Sequence, residues 1–156
     1  SHAEDAPARL LLGSEATEAR VKHEATQAGL LHFAVHGAID DERALDSALL
    51  LNPDQGEDGE LQVWEILEQL QLRAQLVVLS SCNSAIGEEL RGEGLLSLTR
   101  AFRYAGARQV VATLWPVADG GSMRLMQRFY AAQPLRASAA QALQRAVLAQ
   151  LESAET

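Results

Sequence analysis

LLHFAV, residues 30–35, is the stretch whose reading decides the fold. It is almost continuously apolar and too short for a typical helix, so it reads as a buried strand. Two further runs repeat the pattern, QLVVLSS at 75–81 and RQVVATLW at 108–115. Helical stretches alternate with them. One is predicted from about Glu93 to Tyr104, ending at Gly106. Another runs from about Asp119 to Ala132 and is broken by Pro134. Ser138 caps a last helix that reaches about Leu151. Strands apolar on both faces, separated by helices, predict an α/β fold with a mainly parallel sheet covered on both sides.

The remaining segments fit around this frame. Arg9 to Leu12 reads as a short strand ending at Gly13, and Ser14 as the cap of a helix that stops at Gly29. SALLL at 47–51 reads as a strand, and NPDQGEDG at 52–59 as a turn. Residues 61–70 are predicted as a helix with Leu61, Trp64, Leu67 and Leu70 on one face. No repeat, low-complexity tract or linker interrupts the pattern, so residues 1–156 read as one domain.

Composition narrows the function. Hydrophobic residues make up 47% of the chain and charged residues 22%, as in an ordinary globular domain. A net charge of -8 repels phosphates and disfavours a nucleic-acid partner, whereas it attracts cationic peptides. The single cysteine permits no intramolecular disulfide, which fits a reducing compartment. No apolar run has the ~18 residues that span a bilayer, and the start has no signal-peptide pattern. The expected address is the cytoplasm, with no membrane partner.

In parallel α/β sheets, ligands bind beyond the carboxyl ends of the strands. His36 follows strand 30–35, Cys82 follows strand 75–81, and Asp119 comes just after strand 108–115. Each also has a plain structural reading. A lone cysteine is often a buried, inert hydrophobe, although SSCNSA surrounds Cys82 with small and polar residues. His36 could be a core histidine bonded to a carbonyl. Asp119 could simply cap the helix it opens. Asp40, close after His36, could orient the imidazole or serve only its own loop. His32 and His36 form an H-x-x-x-H pair, but on a strand four residues span ~13 Å, too far for one metal ion. No metal site is expected. G-E-G at 92–94 precedes a helix but does not follow its strand directly, and Ser97 stands at the third glycine position. It reads as a loop and helix start, not a dinucleotide site.

The ordered motifs resemble the CHAT domain family, caspase-like peptidase domains often fused to tetratricopeptide repeats. They are LHFAVHG at 31–37, SALLLNPD at 47–54, LVVLSSC at 76–82, GEGLLSLTRAFRYAGAR at 92–108 and VVATLWPVAD at 110–119. The likeness covers about residues 10–150. Val35 replaces a usual Thr and Ser81 a usual Ala, and neither change removes a catalytic atom. The resemblance implies a caspase-like three-layer sandwich. It also implies a cysteine endopeptidase with His36 as base and Cys82 as nucleophile, and an oxyanion hole formed by the backbone N–H groups of Gly37 and Cys82. The 46 residues from His36 to Cys82 agree with a caspase spacing of roughly 50. Asp119 is implied as a substrate-binding residue that receives a basic side chain before the cut bond. No cofactor is required. The expected partners are a protein or peptide substrate and a regulatory repeat domain or activating partner. Against the family pattern, the chain is expected to lack an N-terminal strand and helix, which leaves strand 30–35 with an unpaired edge. A catalytically silent scaffold or interaction module of the same fold, and a small-molecule thiol amidase, are the alternatives.

Overall fold

In the computed structural model, which describes residues 8–54, 56–80, 93–113, 119–136 and 138–153, the three apolar runs form one parallel sheet. Its strands are β1 (Leu30–Phe33), β5 (Leu76–Leu79) and β6 (Val110–Ala112), in the order β1-β5-β6. The register pairs Leu30 with Leu76 and Phe33 with Leu79, then Val77 with Val110 and Leu79 with Ala112. β5 is buried along its whole length, as a central strand must be. β1 and β6 are less buried than the sequence pattern suggests, because both are edges of the sheet among the described residues. Among the described residues no strand pairs with the outer edge of β1.

A second sheet is antiparallel. It holds β2 (Gly37–Ala38), β3 (Ala48–Leu50) and β4 (Glu60–Gln62), in that order. Helices α1 (Glu18–Ala25), α2 (Val63–Gln69) and α3 (Glu93–Tyr104) share a core with the strands. Val21, Ile66, Leu98 and Phe102 meet Phe33, Val77 and Leu79 there, and the rings of Phe33 and Phe102 lie 5.5 Å apart. Each fully buried aliphatic or aromatic side chain contributes about 1.5–3 kcal/mol, so this cluster is the main source of stability.

The chain forms two compact units, Ser1–Leu114 and Trp115–Thr156. The second holds α4 (Asp119–Ala131) and α5 (Ala139–Glu152). Ser138 caps α5 as expected, its hydroxyl accepting the Gln141 N–H at 3.2 Å. Gln150 reaches from α5 to the Gly121 carbonyl of α4 at 3.2 Å.

Three expectations are corrected. Residues 9–12 form no strand; Leu10 and Leu12 are 71% and 65% exposed. An apolar run without a ladder partner has nothing to hold it extended, and this one turns at Gly13, whose φ is +50. Ser14 does not cap a helix. It lies in a 3-10 turn, and α1 starts at Glu18, where Asp54 accepts the Ala19 N–H at 3.3 Å. Residues 61–70 are a strand end followed by a helix. Leu61 is buried in β4, and Gln62 and Glu65 close a capping box that starts α2 at Val63. The buried stripe is therefore Val63, Ile66 and Leu70, while Trp64 turns outward.

Candidate active site

Phe33 and Leu79 are the last paired residues of the neighbouring strands β1 and β5, and the Ser80 N–H still donates to the Phe33 carbonyl at 2.8 Å. His36 stands three residues past Phe33, and Cys82 three residues past Leu79 in the sequence. Cys82 itself lies outside the described residues, with all of 81–92. The strand leading to it is the direct parallel neighbour of the strand leading to His36.

His36 is exposed, in the bend between β1 and β2, so the core reading of this side chain does not hold. Its backbone is nevertheless fixed, because its carbonyl accepts the Leu50 N–H at 2.8 Å. That bond has a consequence for Gly37. Antiparallel ladders alternate hydrogen-bonded and non-hydrogen-bonded pairs. With His36 bonded to Leu50 and Gly37 opposite Leu49, Gly37 occupies a non-hydrogen-bonded position. Its N–H is therefore directed away from β3, and the residue itself is buried. His32 lies within β1 and is exposed overall, yet desolvation of its ring lowers its pKa below the usual histidine value and favours the neutral form.

Asp40 is committed to its own turn. Its Oδ1 accepts the N–H groups of Glu42 at 2.9 Å and Arg43 at 2.7 Å, and its Oδ2 lies 3.3 Å from the Arg43 guanidinium. The Arg43 N–H, then the Glu42 N–H and the Arg43 charge, hold the carboxyl below its ordinary range. The loop reading of Asp40 therefore stands against an orienting role. Asp119 opens α4; its side chain lies outside the described residues.

Three residues near this edge were not singled out from the sequence. Asp41 Oδ1 accepts the Gly94 N–H at 3.0 Å, tying the loop after His36 to the first turn of α3. Ser47 is fully buried, and its hydroxyl accepts the Asp40 N–H at 3.0 Å and donates to the Asp40 carbonyl at 3.2 Å. Gly94 has no room for a side chain. A Cβ there would meet Ser47 Oγ, Ile39 Cγ2 at 2.7 Å and the Asp40 carbonyl at 3.0 Å. The available signal was the second glycine of G-E-G, placed where a helix starts.

The other cluster of ionisable groups lies around Lys22. Its ammonium is 2.6 Å from Glu18, 2.7 Å from Glu65 and 2.9 Å from Glu57. The three carboxylates converge as metal ligands could, but the ammonium already fills the place of the cation. Burial would lower the Lys22 pKa, and hydrogen bonds to Glu18, Glu65 and Glu57 outweigh it and raise it. Burial raises the pKa of Glu18, against hydrogen bonds from Lys22 and from the Gly59 N–H at 2.8 Å. No helix among the described residues is long and apolar enough to cross a membrane.

The fold and this edge define a mixed α/β protein with its histidine-bearing segment beyond the carboxyl end of a parallel strand. The chain belongs to the CHAT domain family, whose sequence model matches residues 2–156, and that family is related to caspase-like peptidases. It is 32% identical over 165 residues to human (Homo sapiens) tetratricopeptide repeat protein 28, and 33% identical over 169 residues to the mouse (Mus musculus) protein of that name. Each match covers 83% of this chain and only 7% of the relative.

Proposed function

We propose that the chain is the peptidase domain of a cysteine endopeptidase that cleaves protein substrates with Cys82 and His36. The observation that supports this reading is the pairing of β1 with β5, whose last paired residues, Phe33 and Leu79, stand three positions before His36 and Cys82 respectively in the sequence. His36 takes the thiol proton of Cys82, whose Sγ attacks the scissile carbonyl; the C–N bond breaks to leave a thioester, and His36 gives that proton to the departing amine. His36 then removes a proton from the water that hydrolyses the thioester. The oxyanion is met by the N–H groups of Gly37 and Cys82; losing one such donor costs about 3–4 kcal/mol of barrier. The direction of the Gly37 N–H supports its part in this.

Asp119 is proposed as the acceptor of a basic side chain just before the cut bond. A partly desolvated carboxylate would discriminate strongly, because a neutral side chain leaves it unpaired. The relatives are named for tetratricopeptide repeats, which supports a repeat domain as the regulatory neighbour.

Peptide-library profiling of the protein at its full natural length tests the reading. Wild type should cleave after Arg or Lys, and Cys82→Ala and His36→Ala should each reduce turnover by about 10³-fold or more. Asp119→Asn should weaken the basic preference. Wild-type turnover by Cys82→Ala would exclude the mechanism. A fully inert wild type would leave a scaffold in its place, and an unchanged preference in Asp119→Asn would leave Asp119 with its helix only.

A further inference from the structure

The segment that carries His36 and Gly37 has to be held against the part of the chain that carries the nucleophile. β2 pins one side of it, because Gly37 and Ala38 are paired with Leu49 and Ala48 of β3. The loop from Ile39 to Ser47 then folds onto the start of α3, the first described element after residues 81–92. Two features lock that contact. The Asp41 carboxylate accepts the Gly94 N–H at 3.0 Å, in a helical turn whose unpaired N–H groups favour negative charge. The bare backbone of Gly94 also sits so close to Ser47, Ile39 and Asp40 that a methyl group would not fit. Ser47 in turn holds the Asp40 backbone from both its N–H and its carbonyl. From Asp41 to His36 is five residues, and two of them are strand.

We infer that Asp41 is a positioning residue for His36: its carboxylate on Gly94 fixes the His36–Gly37 segment relative to α3. The inference rests on the roles proposed above for His36 and Cys82. Asp41 does not touch substrate; it sets where the imidazole and the Gly37 N–H stand. Misplacing reacting groups by about 1 Å can cost about a hundredfold in rate, so a lost clamp should be visible in turnover. Substrate binding depends less on this alignment, and the loss should fall on kcat and spare KM.

The test compares Asp41→Ala with Asp41→Asn at full natural length, on a peptide chosen by profiling. Asp41→Asn keeps an oxygen that accepts the Gly94 N–H. Asp41→Ala should lower kcat about tenfold or more with KM within about twofold, and Asp41→Asn should recover the rate to within about threefold of wild type. Hydrogen exchange of the peptide bearing Gly94 should be faster in Asp41→Ala than in Asp41→Asn. Wild-type kcat in Asp41→Ala, equal impairment of both variants, or unchanged exchange would overturn the inference. If Asp41→Ala melts below the assay temperature, Gly94→Ala opens the same contact from the helix side and must show the same loss of kcat; a folded Gly94→Ala protein with wild-type kcat also overturns it. Failure of the underlying reading looks different, because His36→Ala would then keep wild-type turnover.

Discussion

The Lys22 cluster and the segment after β1 both gather titratable side chains, and they are built in opposite ways. Around Lys22 the charged groups turn inward on one another. Three carboxylates share one ammonium, and the Glu18 side chain is fully buried. After β1 the backbone is held while the His36 side chain faces outward. The carbonyl of His36 is tied to Leu50, yet the side chain is exposed and the Gly37 N–H is directed away from its sheet partner. Buried carboxylates gathered on one ammonium mark a structural tie. A fixed backbone carrying an exposed imidazole is what the role proposed for His36 requires.

The sharpest way to break this contrast is to remove each centre and measure stability. Lys22→Met leaves Glu18 and Glu65 buried without their cation. It should destabilise the protein by about 3–5 kcal/mol in denaturant titration. A loss below about 1 kcal/mol would mean the network is not a structural tie. Gly106→Ala tests the scaffold at the other end of α3 from Gly94. Gly106 has φ +119, and a Cβ there would collide with the Leu72 carbonyl. A cost of about 1–3 kcal/mol is expected, and no cost would show that the α3 end relaxes freely. His36→Ala should change stability by no more than about 0.5 kcal/mol, as at an exposed position. A larger loss would make His36 structural.

The smallest effect is at Asp40, and it concerns pH. The folded carboxyl has a pKa below its ordinary value, so the unfolded chain binds the proton more readily. Its contribution is therefore present above the ordinary pKa of 3.8 and is lost as the pH falls through the folded value. Asp40→Asn should melt slightly below wild type at pH 6, with the gap closing in acid. A gap that persists at low pH would assign the effect to something other than this charge.

Much of the fold was legible because apolar runs with no polar face fit a parallel sheet. LLHF, LVVL and VVA became strands of it, each shorter than the apolar run that contains it. The ends of α3 and the Ser138 cap were also legible, since glycine and serine act there through local chemistry. Residues 9–12 misled because strand propensity without a partner does not make a strand. Residues 61–70 misled because Leu61 is buried in β4 while the helical stripe begins at Val63, and a periodic pattern does not reveal where one element hands over to the next. Near the candidate site, the position of His36 just past a strand of the parallel sheet was legible. Asp41, Ser47 and Gly94 were not, because their contacts join residues 53 apart in the case of Asp41 and Gly94.

The most direct test of the central claim is the pH dependence of Cys82 alkylation, since it is the chain's only cysteine. A neighbouring imidazole favours the thiolate, whereas an ordinary thiol ionises near pH ~8.5. In the full-length protein, with any other cysteines resolved by peptide mapping, wild-type Cys82 should react rapidly well below that pH. His36→Ala should move the reaction up to the ordinary thiol range. Identical profiles for the two proteins, both centred on the ordinary thiol value, would contradict the pairing of His36 with Cys82.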